Sequence, residues 1–246
     1  MIRKAINVLK RHQRNKKVME DFRNTFDKFN SLDTTRKLPN NWENIYPCLN
    51  DATSETDFDS HYIYHPAWAA RIIRDIAPKK HVDISSTLHF CSVLSAFMPV
   101  EFYDYRPANL TLTNLYSGKA DLTQLFFESD SIESLSCMHT IEHVGLGRYG
   151  DPIEPDGDIR SINELKRVVA INGSLLFVVP VGKPKIMFNA HRIYSPELIV
   201  DLFKGFTLQN FSLVLDNHDF VENADFALAS EQKYGCGCFW FTKNAR

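Results

Sequence analysis

Residues 81–87, with the sequence HVDISST, pass from an apolar strand pattern into a short polar turn, and a helical pattern from Leu88 to Phe97 follows at once. The next apolar stretch, Val100 to Tyr105, carries an acid, Asp104, close to its end. Strands that alternate with helices are typical of a mostly parallel sheet with helices on both faces. This part of the sequence therefore predicts a Rossmann-like α/β fold.

The same alternation continues along the chain. A helix with a buried face is predicted ahead of the first strand, with Pro66 in its first turn and its end before Pro78. At 246 residues, the chain accommodates one such domain, which we place at residues 61–246. Further strands are predicted at Ser134 to Met138, Ser174 to Pro180, Phe211 to Leu215 and Cys236 to Thr242, and helices at Ile159 to Ala170 and Pro196 to Phe203.

Residues 1–60 are predicted to form a helical extension. The first seventeen carry seven Lys or Arg and no acid, a pattern typical of a basic amphipathic helix. Such a helix either lies solvated against the domain or attaches to acidic lipid or a partner protein. Next, Met19, Phe22, Phe26 and Phe29 recur at helical spacing and predict a face buried in the core or in a homodimer.

The composition limits the class of protein. A formal net charge of −2 gives no overall field that would favour nucleic acid as a partner. No apolar run approaches the roughly eighteen residues that span a bilayer, and the N-terminus lacks a signal-peptide core. We therefore expect a cytoplasmic protein, with peripheral contact at the inner membrane surface through the basic N-terminus as an alternative.

The five cysteines are odd in number, which argues against a disulfide framework. Cys236 and Cys238 lack the spacing of a zinc or redox motif, and in a strand their sulfurs would point to the same face. We interpret both as strand residues.

Acids close to the strand ends are candidate cofactor ligands. In Rossmann-like sheets, ligands bind beyond the carboxyl ends of the strands, and an acid ending the second strand bonds a ribose. Asp104 fits that position, with a turn or helix cap as the alternative. Asp83 either orients the amino-acid end of a cofactor or satisfies loop amides. No glycine-rich turn follows it, so small hydroxylated residues do that work or cofactor binding is weakened or lost.

Several short segments in this order resemble class I S-adenosylmethionine-dependent methyltransferases from Asp83 to Pro180. They are Ala120-Asp121-Leu122, Ser136-Cys137-Met138-His139, Ile141-Glu142-His143-Val144 and Gly173-Ser174-Leu175-Leu176-Phe177-Val178-Val179-Pro180. More narrowly, residues 142–152, 155–158 and 191–196 resemble an uncharacterised methyltransferase-like family of bacterial surface-polysaccharide gene clusters.

The resemblance implies a cofactor and its ligands. S-adenosylmethionine would be held by Asp83 and by the turn of Ser85, Ser86 and Thr87. Asp104 would bond the ribose, Asp121 would lie near the adenine amine, and His139 would line the cofactor cleft. We expect the acceptor to be a small molecule, a nucleotide sugar or a glycan.

A long loop between Gly145 and Asp158 is expected at the carboxyl edge of the sheet, where loops carry substrate contacts. Its acids either face the substrate or bond the loop's own amides. A divalent ion on Asp151, Asp156 and Asp158 is a further alternative, and we assign no metal site.

Arg192 either holds an acidic group of the substrate or pairs with a loop acid such as Asp158. The candidate substrate-binding residues are Glu142, His143, Arg148, Tyr149, Asp158 and Arg192.

Transfer of a methyl group to oxygen needs a base. His139 is our first candidate and His191 the second, because a neutral imidazole accepts a proton near pH 7. The aromatic cluster of His61, Tyr62, Tyr64 and His65 either closes over the cofactor or is packing.

Three rival interpretations remain open. The string His139-x-x-Glu142-His143 also satisfies the inverted zinc-protease pattern. A non-catalytic relative that binds a nucleotide or a glycan-synthesis partner is credible because of the Ser-Ser-Thr turn. An NAD-dependent sugar-modifying enzyme is disfavoured because no Gly-x-Gly-x-x-Gly follows any strand.

Overall fold

The computed structural model describes residues 2–35 and 38–245, with side chains from Lys16 onward. The chain forms two compact units, Met1–Asp57 and Phe58–Arg246. The first contains helix α1 (Ile2–Leu32) and a short 3-10 helix (Trp42–Asn44).

The second unit contains all the strands in the described part of the chain. Its elements in order are α2 (Ser60–Ile76), β1 (His81–Ile84), α3 (Leu88–Leu94), β2 (Val100–Asp104), β3 (Leu115–Lys119), β4 (Ile132–Met138), a 3-10 helix (Ile141–His143), α4 (Gly157–Val168), β5 (Val169–Val181), β6 (Lys185–Met187), β7 (His191–Ile193), α5 (Pro196–Leu202), β8 (Phe206–Val214), β9 (Phe220–Val221), α6 (Phe226–Ser230) and β10 (Gly235–Lys243).

In the first unit, the aromatic stripe is only partly covered. The rings of Phe22 and Phe26 lie 6.1 and 5.1 Å from that of Trp42, and the Arg23 guanidinium stacks 4.1 Å above Trp42. Met19 and Phe29, predicted on the same buried face, are exposed. The basic side chains up to Asn15, predicted to form an amphipathic face, lie outside the described residues.

The second unit is built on an eight-stranded sheet with the order β3-β2-β1-β4-β5-β10-β8-β9. The pairs from β3 to β5 are parallel, whereas β10 pairs antiparallel with both β5 and β8. Strands β6 and β7 form a separate hairpin. The predicted mostly parallel sheet is thus confirmed.

Strand β5 shows why both faces of the sheet carry helices. Its buried side chains alternate between two core clusters, with Leu175, Phe177 and Val179 in one and Leu176 and Val178 in the other. The first cluster also holds apolar residues of α4 and α5, and the second holds those of α2 and α3. A strand buried on both faces is the expected consequence of a three-layer α/β arrangement.

Helix α2 corrects one prediction. It begins at Ser60, with the Asp59 carboxylate accepting a hydrogen bond from the Tyr62 amide at 3.3 Å, so Pro66 lies in its second turn and not its first. Because proline has no N–H group, it removes a single backbone hydrogen bond of the helix at this position. The early start adds a turn of helix that carries His61, Tyr62 and His65, and these residues take part in the site described below.

All six predicted strands are present, most of them longer than expected, and β3, β6, β7 and β9 were missed. Cys236 and Cys238 point to the same face of β10, as predicted, and their sulfurs lie 3.9 Å apart in hydrogen-bonding contact without a disulfide. Within the described residues, no helix has both the length and the apolar character to cross a membrane.

Candidate active site

A cleft of about 430 Å³ opens where the parallel strands end. It lies beyond β1, β2 and β4, at the point where the strand order changes direction between β1 and β4. Cofactor pockets have volumes of this order and occur at such positions. Predicted site residues that line it are Ser85, Ser86, Thr87, Asp104, Asp121, His139, His143 and Tyr149.

The turn after β1 adopts a backbone conformation usual for glycine although its residue is a serine. Ser85 has φ +59°, and its amide donates to the Tyr103 carbonyl at 2.7 Å. Thr140 Oγ1 donates to the Ser85 carbonyl at 2.9 Å. A left-handed conformation costs an L-residue about 1–2 kcal/mol, so this turn is held by its neighbours. The turn therefore forms although no glycine is present in it.

Asp83 lies beneath the cleft and not in its wall. Its side chain is fully buried, and its carboxylate accepts hydrogen bonds from the Ser86 amide at 3.0 Å and from the Ser136 hydroxyl. Burial raises its pKa to about 6. The structure therefore corrects the expectation that Asp83 contacts the cofactor and supports the alternative, in which it satisfies loop amides.

Asp104 and Asp121 both line the cleft, and both also act as turn residues. Asp104 Oδ1 accepts from the Arg106 amide at 2.7 Å, and Asp121 Oδ1 accepts from the amide and the hydroxyl of Thr123 at 2.8 and 2.7 Å. No described residue bonds the second oxygen of either carboxylate. Each acid therefore keeps an acceptor for a ligand in the cleft.

His139 follows β4 directly and is held in an unusual conformation. Its φ is +53°, and its Nδ1 lies 2.8 Å from Oε1 of Glu142, with 3% and 1% of the two side chains exposed. Because a carboxylate only accepts, Nδ1 carries the proton and Nε2 presents a lone pair. Nε2 is buried and has no partner among the described residues.

Two further histidines from α2 surround this imidazole. The rings of His61 and His65 lie 5.4 and 5.2 Å from that of His139. Burial, and secondarily the nearby His139, lowers the pKa of His61 to about 4, and the same causes lower the pKa of His65 well below its usual value. The rings are therefore neutral near pH 7. The spacing of residues along the sequence gave no sign of this grouping.

One rim of the cleft is formed by a tyrosine between two arginines. The guanidinium groups of Arg106 and Arg148 lie 4.7 and 5.0 Å from the centre of the Tyr149 ring. His143 is anchored by Nδ1 at 2.7 Å from the Ala190 carbonyl oxygen. Arg106, His143 and Tyr149 line the cleft on this side.

Arg192 and Asp158 lie behind the cleft as an internal pair, which corrects their expected contact with substrate. Arg192 Nε is 3.4 Å from Asp158 Oδ2, and the guanidinium donates to the carbonyls of Val144 and Pro155. The Tyr194 hydroxyl donates to the same carboxylate at 2.9 Å. The structure therefore contains the alternative arrangement, in which Arg192 forms an ion pair within the protein.

The acidic loop does not form the metal site that was considered as an alternative. The Asp151 carboxylate accepts hydrogen bonds from the amides of Gly145, Gly147 and Tyr149 at 2.9 to 3.3 Å. Asp158 is paired as just described. These carboxylates stabilise the loop.

The inverted zinc-protease interpretation is wrong. Residues 141–143 form a single 3-10 turn, and His143 directs its Nδ1 toward Ala190, so His139 and His143 do not face each other across one helix.

His191 does not line the cleft. Its ring lies 4.7 Å from Tyr234, and its Nε2 is buried without a partner among the described residues.

Comparison with known proteins gives a family match of unknown function. The family model described as "Caenorhabditis protein of unknown function, DUF268" matches residues 119–232, a little under half of the chain. A search of curated proteins found none that matches. The matched segment begins at the end of β3 and does not include the turn after β1.

Solved methyltransferases share the architecture. The 1,6-didemethyltoxoflavin-N1-methyltransferase of Burkholderia thailandensis, solved with 1,6-didemethyltoxoflavin and S-adenosylhomocysteine, is 11% identical over 74% of this chain and 79% of its own, with a TM-score of 0.53. A methyltransferase candidate from Bacillus halodurans is 12% identical over 73% of this chain and 100% of its own, with a TM-score of 0.50. The chain therefore has the Rossmann-like class I methyltransferase fold.

Proposed function

We propose that this chain is an S-adenosylmethionine-dependent methyltransferase that O-methylates a sugar or a related small acceptor. The observation that carries the proposal is that Asp104 and the Ser85–Thr87 turn face one cleft at the switch point of the sheet. The resemblance stated above supports a setting in bacterial surface-polysaccharide biosynthesis in the cytoplasm.

Two carboxylates that line the cleft support binding of the cofactor. Asp104 offers a free carboxylate oxygen to a vicinal diol, and Asp121 offers one to an amine. The turn at Ser85 brings backbone close to the cleft without a glycine because its left-handed conformation is held by Tyr103 and Thr140. When bound, S-adenosylmethionine supplies an electrophilic methyl group.

His139 serves as the proton acceptor in this proposal. Its Nδ1–H donates to Glu142, which keeps the Nε2 lone pair available and stabilises the imidazolium after proton transfer. An acceptor hydroxyl reaches Nε2 only when a covering ring moves aside. Tyr62, stacked 5.5 Å from His139 and 47% exposed, is the ring at the cleft wall that can do so. His191 is the second candidate.

A second candidate function is a non-catalytic binding protein that uses the same cleft for a nucleotide or a glycan-synthesis partner. One observation favours it. The Nε2 atoms of both candidate bases are buried and therefore closed to a substrate in this conformation.

Calorimetric titration with S-adenosylmethionine and S-adenosylhomocysteine tests the proposal. Asp104→Asn retains an acceptor for the Arg106 amide but removes the negative charge, and Asp75→Asn, on the exposed end of α2, is the matched control. Micromolar binding that weakens at least tenfold in Asp104→Asn alone supports the proposal. Equal binding by all three proteins contradicts the role of Asp104, and no binding by the wild type favours the non-catalytic alternative.

A further inference from the structure

Most of the buried side-chain atoms without a hydrogen-bond partner in the described chain belong to His139 and to two residues that contact its ring. Among the described residues the unpartnered atoms are His65 Nε2, His139 Nε2, Glu142 Oε2 and His191 Nε2. Native structures leave few such atoms, and each one calls for an explanation, such as an ion or water bound there. Their concentration around one imidazole points to a ligand in the interior wall of the cleft.

We propose that His61, His139 and Cys236 bind a zinc-type divalent metal ion. One ligand atom from each lies within 4.8 Å of the others. Zinc binds imidazole nitrogen at about 2.0–2.1 Å and thiolate sulfur at about 2.3 Å, usually in tetrahedral geometry. The three atoms must move together by an ångström or so, which side-chain rotation of the half-buried His61 allows.

The histidine at the centre of this group is already oriented as a metal ligand. A ligating imidazole almost always donates its other ring N–H to a carboxylate or a carbonyl, which fixes its tautomer and its direction. Glu142 accepts from Nδ1 of His139 at 2.8 Å, so the unpartnered Nε2 is the ring nitrogen left for the ion. Glu142 therefore orients His139 as a ligand.

The charges of the site also call for a cation. Glu142 is fully buried, and its ion-pair partners in the described chain are two histidine rings, His139 at 2.8 Å and His143 at 3.8 Å. A buried carboxylate is costly unless a cation compensates it. A divalent ion bound to His139 places two positive charges next to this group.

Cys236 supplies the soft ligand from a rigid strand. It is fully buried on β10 between β5 and β8, so its sulfur is fixed in position. On coordination, the Sγ–H bond breaks, the proton passes to solvent and the thiolate binds the ion. Two imidazoles and one thiolate are a ligand set that zinc accepts, and soft sulfur disfavours magnesium and calcium.

Three protein ligands leave one coordination position open, as in catalytic zinc sites. Tyr62 and His139 both belong to the wall of the cleft, so that position lies on its inner side. A hydroxyl group coordinated there would lose its proton to water more readily. The ion would then replace the Nε2 lone pair of His139 as the group that activates the acceptor, whereas metal binding itself does not depend on the methyl donor.

Titration of the chelator-treated full chain with Co²⁺ tests the site. We expect one equivalent to bind with a thiolate-to-cobalt charge-transfer band in the near ultraviolet, and Zn²⁺ to displace it. Cys236→Ser should abolish the band, and His61→Ala should weaken binding at least tenfold. The exposed Cys48→Ser and His89→Ala are the matched controls and should behave as the wild type.

Proton release provides a second measurement if a variant folds poorly. The wild type should release one proton for each Zn²⁺ bound, and Mg²⁺ should release none. A band that survives in Cys236→Ser, or binding without proton release, overturns the proposal. Asp104→Asn should bind Co²⁺ normally, so that loss of cofactor binding and loss of metal binding are distinguishable.

Discussion

The Nδ1 atom of His139 lies 2.8 Å from Oε1 of Glu142, and both side chains are almost completely buried. The substitution Glu142→Gln keeps the shape of the side chain but removes its negative charge. It also allows the other tautomer of the His139 ring, because an amide can donate a hydrogen bond as well as accept one. If His139 is the proton acceptor, we expect kcat to fall by about 10²-fold or more, within the 10²–10⁴ range of a general base, with little change in KM. Glu231→Gln, on an exposed residue, is the control. Unchanged kcat in Glu142→Gln would contradict the role of the pair.

The left-handed backbone at Ser85 predicts an unusual response to glycine. Ser85→Gly relieves a conformational cost of about 1–2 kcal/mol and adds chain entropy of similar size to the unfolded state. The free energy of unfolding should therefore change by less than about 1 kcal/mol, with cofactor affinity retained. Ser92→Gly, inside α3, should instead lower stability by about 0.5–1 kcal/mol. Urea unfolding and calorimetry measure both effects.

Ser85→Val sharpens that test, because a β-branched residue is strongly disfavoured in the same conformation. We expect it to lower the free energy of unfolding by about 1–3 kcal/mol. Wild-type stability in Ser85→Val would show that the turn does not require this backbone conformation.

The buried pair of Arg192 and Asp158 predicts a loss of stability and not only of substrate affinity. Arg192→Ala leaves a buried carboxylate without its cation and should lower the free energy of unfolding by about 3–5 kcal/mol. Arg74→Ala breaks an exposed pair with Asp75 and should cost less than about 1 kcal/mol. Equal urea midpoints for the two variants would refute the structural role of Arg192.

The buried imidazoles predict that the stability of the chelator-treated, metal-free chain falls in mild acid. The pKa values of His61 and His81 are lowered to about 4 and about 3, and that of His65 lies well below its usual value, so the unfolded chain binds more protons below pH 6.5. Each such group lowers the free energy of unfolding by up to about 1.4 kcal/mol per pH unit from 6.5 down to its folded-state pKa. Asp83, with its pKa raised to about 6, opposes the trend between pH 6 and 3.8.

Urea unfolding at pH 7 and pH 5 measures this dependence. His65→Gln should reduce the difference between the two pH values, and the exposed His89→Gln should leave it unchanged. A free energy of unfolding that rises on acidification would contradict the assignment of neutral rings.

The sequence predicted the interior of the domain better than its edges. Strands such as β5 consist of long apolar runs, and their burial on two faces follows from composition alone. The edge strand β3, with the sequence LYSGK, has only two buried residues, one of them a glycine, and its apolar pattern was too weak to predict a strand. The short β6–β7 hairpin depends on contacts that no local preference encodes.

Residues of the cleft were predictable where they lie at the end of a strand or in the loop that follows it. Asp104 and the Ser85–Thr87 turn follow from their places at strand ends, whereas His61 and Cys236 are brought together by the sheet order and lie 175 positions apart in the sequence. Arg192 illustrates a different limit. Its residue type fits both a substrate contact and an ion pair, and only the observed position of Asp158 selects between them.

The position of β10 between β5 and β8 has a consequence for biosynthesis. The ribosome produces β10 after every other described strand, yet this strand occupies the interior of the sheet. Until it emerges, β5 presents an open and very apolar edge, a kind of surface that promotes aggregation. A chain truncated just before β10 would keep this edge open and should therefore aggregate more readily than the full chain.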